Sequence, residues 1–276
     1  MEIVALLLSG LLGGLAPVGV ILDTIIAGNL RARLPGTDTL AVRIDNAPSY
    51  QLLSGKVQRL RIAGRGVQLT PDIRVAAIDL ETDPLNVDLE SLREGSENWR
   101  TALREPVQAG LRLELSEADF NQTLASPQFT ERLQGIASQI AANLPGAEGQ
   151  SYELADLNVD FRADDRLRLN LRIQGRDGAG TITDDLLLSL ETGITVTNGR
   201  QLELDEPVVA INEQPLPPLF TGFATQFIGE QLDLENLLGE FGFLLRVLSL
   251  EIDEDSLELV TFIRVAPDEP GAATEE

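Results

Sequence analysis

The chain of 276 residues contains no histidine and no cysteine. Without histidine it lacks the side chain that titrates near neutral pH, and without cysteine it lacks thiol nucleophiles. The two absences also remove the ligands on which zinc and most other transition-metal sites depend. The residue inventory therefore indicates a protein that binds a ligand without converting it, and we predict no enzymatic activity and no cofactor.

Aromatic residues are scarce as well, at 4% of the chain, whereas hydrophobic residues make up 43%. The core must consequently be built from leucine, isoleucine and valine, which gives a smooth aliphatic interior with few polar groups and suits acyl chains. The net charge of −23 excludes nucleic acid as a partner, because most of the surface would repel a phosphate backbone.

Cations are few and unevenly placed. Lys56 is the only lysine, and Arg59, Arg61 and Arg65 follow it closely. Residues 31–74 carry an excess of positive charge, while the chain beyond them is strongly acidic. We predict that these four side chains contact anionic lipid headgroups, each contact near a membrane surface contributing about 1 kcal/mol. The alternative is that the charges lie on solvated strand faces.

Residues 1–16 form an apolar N-terminal segment, which we interpret as an anchor or as an uncleaved, signal-like segment. The uncharged run continues from Ile3 to Leu22, which is about the length needed to span a bilayer. As a cleaved signal peptide it is poor, because Glu2 replaces the usual basic residue and Pro17 follows the best cleavage site. If the run spans a membrane, the arginines behind it favour a cytoplasmic body.

An amphipathic helix is predicted to begin at Pro17 and to end before Pro35, with Ile21 and Ile25 on its apolar side. Two interpretations of this helix are open. It covers a sheet face, or it closes one end of a lipid groove or rests on a membrane.

Most of the remaining chain alternates apolar and polar residues, which predicts β-strands with one apolar face. The predicted strands are Leu40–Ile44, Val57–Ile62, Val67–Leu69, Ile73–Thr82, Gln108–Leu115, Tyr152–Phe161, Leu167–Ile173, Ile182–Leu190, Ile194–Val196, Leu202–Leu204, Val208–Ile211, Leu244–Ile252 and Leu257–Val265. Leu111, Leu113 and Leu115 give the clearest alternation, as in an antiparallel sheet covered on one side. The segment between Asp83 and Pro106 reads as an exposed connection.

Two helices are predicted between the strands. Ser116 with Asp119 resembles a capping box, and Ser126 with Pro127 indicates a second helix start. The second helix carries Phe129, Leu133 and Ile136 on one stripe and ends at Pro145. Further along, Asn198 and Gly199 predict a tight hairpin turn.

Residues 216–245 hold five of the nine phenylalanines. Phe220, Phe223 and Phe227 share a helical face, so this region is a core helix or, alternatively, a mobile gate over an aliphatic cavity. Residues 266–276 read as a disordered acidic tail.

Motifs for catalysis and metal binding are missing. The segment Ser54-Gly55-Lys56 fails as a phosphate loop, because Tyr50 stands where the first glycine belongs. The acidic pairs Asp164-Asp165 and Asp184-Asp185 and the run Asp253-Glu254-Asp255 lack calcium-loop spacing, and turn chemistry explains them. A carboxylate pair for glycoside hydrolysis stays open, although few aromatic residues are available to stack on a sugar.

Three segments carry a resemblance to a known family: residues 45–57 (DNAPSYQLLSGKV), residues 61–67 (RIAGRGV) and residues 78–84 (IDLETDP). They resemble the LmeA-like phospholipid-binding family of bacteria. The resemblance implies an α+β fold in residues 17–265, akin to the tubular lipid-binding proteins. In that fold a long, curved antiparallel β-sheet wraps around a few amphipathic helices and leaves an acyl-chain groove. No catalytic set is available to transfer.

The leading hypothesis is therefore a membrane-associated protein of the bacterial cell envelope that binds or transfers phospholipid or glycolipid, on a membrane side that the sequence leaves open. The predicted groove residues are Ile21, Ile25, Leu111, Leu113, Leu115, Phe129, Leu133, Ile136, Phe220, Phe223 and Phe227. The predicted partners are membrane lipids and the membrane surface, and protein partners are left open. The alternatives are a membrane-associated scaffold with a closed core and a hydrolase that uses paired carboxylates.

Overall fold

A computed structural model of the chain describes residues 34, 36–47, 49–93, 99–127, 129–130, 134, 151–176, 181–217 and 243–267. The chain divides into two compact units. The first unit comprises residues 1–114, 234–249 and 259–276, and the second comprises residues 115–233 and 250–258. The predicted N-terminal segment and the helix from Pro17, apart from Leu34, lie outside the described residues, as do residues 218–242.

The described residues are mostly β-strand. The strands are β1 (Thr39–Asp45), β2 (Lys56–Val57), β3 (Arg59–Thr70), β4 (Ile73–Thr82), β5 (Leu85–Asn86), β6 (Val107–Ser116), β7 (Ser151–Arg162), β8 (Arg166–Arg176), β9 (Ile182–Thr197), β10 (Gln201–Ile211), β11 (Gln214–Pro215), β12 (Phe243–Ile252) and β13 (Ser256–Val265). The helices are α1 (Leu89–Arg93) and α2 (Glu117–Leu124), and Ser49–Ser54 and Trp99–Ala102 form 3₁₀ helices. The expected dominance of strand is confirmed.

The described strands form two larger sheets and one small one. A six-stranded sheet has the order β1-β3-β4-β6-β13-β12, and a five-stranded sheet has the order β11-β10-β9-β8-β7. Strands β2 and β5 pair separately. The pairings whose register is defined are antiparallel, as the one-faced alternation predicts.

The core of the first unit lies against one face of the six-stranded sheet. Leu60, Ile62 and Ile78 are each at most 2% exposed there. Gly64 is part of the same packing, because a Cβ atom added to it would lie 2.5 Å from Cγ2 of Val67. This face is therefore closely packed and leaves no room for an added methyl group at Gly64.

Several strands are longer than predicted. The predicted strands Val57–Ile62 and Val67–Leu69 belong largely to the single strand β3, in which Gly66 has a φ of +55°. The predicted pairs of short strands in 182–196 and in 202–211 likewise form the single strands β9 and β10. Strands β3 and β10 continue through the predicted breaks, because Gly66 in β3 and a bulge between Asp205 and Val208 in β10 accommodate the local change in the backbone.

Two local predictions are wrong. The segment between Asp83 and Pro106 is not an exposed connection, since Leu85, Val87 and Leu103 are at most 5% exposed and Val87 bridges to Leu103. Asp184-Asp185 does not form a turn, because both residues lie inside β9.

The predicted Asn198-Gly199 turn and the Ser116 cap are confirmed, whereas the predicted Ser126 cap does not form, because Ser126 Oγ is buried without a hydrogen-bond partner among the described residues. Asn198 and Gly199 both have positive φ, at +55° and +69°, and Arg200 N donates to Thr197 O across the hairpin at 3.2 Å. The Oγ atom of Ser116 accepts from Asp119 N at 3.1 Å and caps α2. Of the predicted acidic tail, Ala266 and Pro267 are described, and Arg100 Nε donates to Ala266 O at 3.1 Å.

Candidate functional site

The five-stranded sheet carries an uninterrupted aliphatic surface on one face. In the strand register, Val159, Leu169, Leu190 and Val209 form one row across four strands. A neighbouring row contains Leu157, Leu171, Leu188 and Ile211. Residues directly opposite one another on paired strands share a face. The two rows are two residues apart along each strand, so both rows lie on the same face of the sheet. We call this surface the aliphatic face; it comprises Leu154, Leu157, Val159, Phe161, Leu167, Leu169, Leu171, Ile173, Leu186, Leu188, Leu190, Thr192, Ile194, Val196, Leu202, Leu204, Val209 and Ile211.

The aliphatic face is only partly covered. Leu169, Leu171 and Leu188 are half-buried, whereas six other members of the face are buried, namely Val159, Phe161, Ile173, Leu190, Thr192 and Val209. The other half-buried members are Leu154, Leu157, Leu167, Leu186, Ile194, Val196, Leu202, Leu204 and Ile211. In the six-stranded sheet, Leu60 and Ile78 of the central strands β3 and β4 are fully buried, whereas Leu113 and Leu115 of β6 are half-buried. A contiguous apolar surface that stays partly uncovered is typical of a site for an apolar ligand or partner.

One end of the aliphatic face is closed by α2. Phe120 and Leu124 of this helix pack against a cluster of Val159, Phe161 and Ile252. The rings of Phe120 and Phe161 have centroids 5.5 Å apart and are tilted by 55°, a favourable aromatic arrangement. The helix thus covers the β7 side of the surface, where Leu167, Leu169 and Ile194 of the aliphatic face pack against the same cluster.

The outer edge of β7 is sealed by side chains. Asn121 donates to Val159 O and accepts from Val159 N, both at 2.7 Å. Gln134 forms an equivalent pair of hydrogen bonds near the start of β7. It donates to Tyr152 O at 2.8 Å and accepts from Leu154 N at 2.6 Å. The main-chain groups of an edge strand are thereby satisfied without a further strand.

The opposite face of the five-stranded sheet is polar and ion-paired. Arg168 Nε donates to Glu191 Oε2 at 3.0 Å, and Arg172 Nε donates to Asp185 Oδ1 at 2.9 Å. The hydrogen bond from Arg168 holds the pKa of Glu191 below its ordinary value, and the hydrogen bond from Arg172 lowers the pKa of Asp185 in the same way. The sheet is therefore amphipathic, with charges on one side and aliphatic side chains on the other.

The predicted groove residues fall in different places. Leu111 is 4% exposed in the core of the first unit, Leu113 and Leu115 are half-buried, and Phe129 is 37% exposed. The predictions for Ile21, Ile25, Leu133, Ile136, Phe220, Phe223 and Phe227 lie outside the described residues. The aliphatic face itself was not among the predicted site residues, although the alternation in 167–173 was the available signal for it.

The predicted headgroup cations lie in the first unit. Arg59 and Arg61 on β3 pair with Glu81 at 3.3 and 3.0 Å, and Arg65 pairs with Asp79 at 3.0 Å. All three are partly exposed. Lys56 on β2 is exposed and makes no ion pair with any described residue. A phosphate group would thus compete with carboxylates at the three arginines but not at Lys56.

Two of the acidic pairs noted in the sequence contain residues with structural roles, Asp165 and Asp185. Asp165 holds a turn in which its carboxylate accepts from Ile252 N at 2.8 Å, and Asp164 and Asp165 both have positive φ. Asp185 is paired with Arg172. Across the described ranges, no group of three or more acidic side chains is arranged to hold a metal ion. Among the described helices, none has the length and apolar character required to cross a bilayer.

Comparison with family models identifies the family of the chain. The family model for LmeA-like phospholipid-binding proteins matches residues 14–262, which is most of the chain. This confirms the family resemblance that residues 45–84 indicate. No protein of curated function matches the chain significantly.

Proposed function

Since the chain belongs to the LmeA-like phospholipid-binding family, we propose that it binds or transfers the acyl chains of phospholipid or glycolipid at a bacterial membrane, without catalysis. The proposal places the acyl chains against the partly covered aliphatic face of the five-stranded sheet. It includes a curved arrangement in which antiparallel strands and amphipathic helices enclose the chains, and a location in the bacterial cell envelope.

The partial exposure of the aliphatic face is the observation that supports this proposal. Each CH₂ group that leaves water contributes about 0.8 kcal/mol, so an acyl chain supplies useful affinity without polar contacts. The side chains of the face are aliphatic except for Phe161 and Thr192. The hydroxyl of Thr192 is already bonded to Gly193 O at 2.8 Å and Asp205 O at 3.1 Å. We therefore expect broad selectivity among acyl chains.

Headgroup contacts are proposed for Lys56, Arg59, Arg61 and Arg65. Exposure of all four side chains supports this role, and so does their sequence position in a cationic stretch of an acidic chain. At the three arginines, lipid phosphate would replace a carboxylate partner. At Lys56 it would meet an ammonium group that has no such partner within the described residues.

A second candidate function is that of a membrane-associated scaffold. The closed packing of the six-stranded sheet favours it, because Gly64 sits among Leu40, Val67 and Ile78 with no space for a further atom. In that case the aliphatic face would meet protein and not lipid.

Native mass spectrometry of the full chain, purified from bacterial cells in a mild detergent and followed by lipid extraction, tests the proposal. We expect retained phospholipid in the wild type. Leu188→Glu places a carboxylate on the half-buried aliphatic face, where desolvating the charge costs several kcal/mol, and should abolish retention.

The neighbouring variant Leu187→Glu is the matched control. Leu187 is 39% exposed, lies opposite Arg172 in the register and points to the polar face. It should keep the wild-type amount of lipid. A wild type free of lipid, or two variants that retain lipid equally, would contradict the proposal.

A further inference from the structure

Two large apolar side chains project from the 3₁₀ helix Ser49–Ser54. Tyr50 is 70% exposed and Leu53 is 58% exposed. Residues three apart lie on the same side of a 3₁₀ helix, because it has three residues per turn. The two side chains therefore form one apolar point on the surface of the first unit.

Hydrogen bonds of Gln58 fix the segment that carries Tyr50 and Leu53 at its two ends. Gln58 N donates to Asn46 Oδ1 at 2.7 Å, and Gln58 Nε2 donates to Ala47 O at 2.6 Å. These bonds join the two ends of residues 46–58, which we call the Tyr50 loop. The two ends of the loop are thus held together, and its tip is exposed although the backbone at the base is fixed.

A second set of contacts fixes the loop near its tip. Gly55 has a φ of +78°, and a Cβ atom there would lie 2.0 Å from Val87 O. Val87 N in turn donates to Gly55 O at 2.9 Å, and Val87 is fully buried. The backbone behind Leu53 is therefore locked onto the core, so that the exposed side chains are presented in a fixed direction.

The sequence around the loop is basic, in contrast to that of the chain as a whole, although Glu81 and Asp79 of β4 pair with its arginines. Residues 46–71 contain no aspartate or glutamate, although the chain has 44 acidic residues and a net charge of −23. The same residues include Lys56, Arg59, Arg61 and Arg65. An apolar point beside Lys56, which makes no ion pair with a described residue, is complementary to an anionic lipid surface, where tyrosine lies at the headgroup level and lysine meets phosphate.

We propose that the Tyr50 loop is the point at which the protein docks on an anionic membrane surface. Tyr50 and Leu53 enter the boundary between headgroups and acyl chains, and Lys56 contacts lipid phosphate. The choice of a lipid surface over a protein partner rests on the proposed function. Docking through the Tyr50 loop and lipid binding on the aliphatic face are different claims, and either one can be wrong while the other holds.

The absence of cysteine makes the test direct, because a single introduced cysteine can be labelled in the full chain. Leu53→Cys carries a fluorophore that brightens in apolar surroundings. Thr195→Cys, exposed on β9, is the control position. On vesicles of phosphatidylcholine and phosphatidylglycerol we expect the label at residue 53 to brighten and the label at residue 195 to stay dim. Equal responses at the two positions, or none at residue 53, would overturn the proposal.

Substitutions in unlabelled protein measure how much the apolar tip and Lys56 each contribute to vesicle binding. Leu53→Asp should weaken vesicle binding at least about tenfold, since burial of a leucine side chain is lost. Lys56→Gln should weaken binding about fivefold on anionic vesicles and leave binding to pure phosphatidylcholine unchanged. Unchanged vesicle binding in both variants would contradict docking through this loop.

Lipid retention separates this inference from the proposed function. Leu53→Asp should retain the wild-type amount of co-purified lipid in native mass spectrometry, because residue 53 lies outside the aliphatic face. A variant that loses vesicle binding but keeps its lipid supports the inference. A variant that loses both has lost more than a docking point, and this result counts against the assignment of the loop to docking alone.

Discussion

Asn121 pairs with Val159 as a neighbouring strand would, through one hydrogen bond in each direction, both of 2.7 Å. The helix that carries Asn121 thereby covers part of the free edge of β7. Glu117 adds to this cover by accepting from Phe161 N at 2.8 Å. The aliphatic face is consequently bounded on this side by a helix fixed through main-chain contacts as well as by apolar packing.

Asn121→Leu should destabilise the protein by about 1–3 kcal/mol, because it leaves the N–H and C=O groups of Val159 without partners. It should also promote self-association through the uncovered strand edge. Denaturant unfolding and light scattering measure the two effects. Gln201→Leu, at an exposed position of β10, is the control and should change stability little. Equal behaviour of the two variants would contradict a structural role for the Asn121 contact.

Two glycines of the six-stranded sheet should respond to alanine in opposite ways. Gly64→Ala should cost about 1–3 kcal/mol, because the new methyl group lies 2.5 Å from Val67 Cγ2 and 3.0 Å from Ile78 Cγ2. Gly110→Ala meets no atom within 4 Å and should be neutral or stabilise by up to about 1 kcal/mol. Urea unfolding of both variants checks this. A neutral Gly64→Ala would show that this core is looser than described.

The ion pairs on the polar face predict a pH dependence. The pKa values of Glu191 and Asp185 are lowered in the folded protein by Arg168 and Arg172, so each pair stabilises the fold fully above the unfolded carboxyl pKa of about 4. The stabilisation is lost as the pH falls through the lowered folded values. It is small, because both pairs are partly exposed and screened by solvent.

Thermal unfolding of Glu191→Gln between neutral and acidic pH measures this contribution. The Tm should lie slightly below that of the wild type at neutral pH, and the difference should vanish once the pH drops well below about 4. Glu203→Gln, at an exposed position of β10, is the control. A Tm difference that does not change with pH would rule out the Arg168 pair as its source.

Much of the fold follows from local patterns in the sequence. The bounds of β4, Ile73–Thr82, match the predicted strand, and the Asn198-Gly199 turn and the Ser116 cap form as predicted. These features depend on neighbouring residues alone. The burial of Leu85 and Val87 was missed because it depends on contacts with residues near 102, which turn signals do not reveal.

The candidate site was harder to predict than the strands. Alternating apolar residues in 111–115 and in 167–173 look alike in sequence, and each stretch holds a buried residue, Leu111 or Ile173, beside half-buried leucines. Which apolar face is completely covered depends on tertiary packing. Likewise, the sequence showed the cations of β3 but not the carboxylates opposite them, because Glu81 and Asp79 meet these arginines only through the strand register.

The most direct measurement of the central claim is photochemical crosslinking of the full chain to a phospholipid with a diazirine in its acyl chain. Mass spectrometry of the digested protein then identifies the residues reached. We expect crosslinks on the aliphatic face, at residues such as Leu169, Leu171 and Leu188. Crosslinks confined to the polar face of the same sheet, at Leu187 or Val208, or an absence of crosslinks, would contradict the central claim.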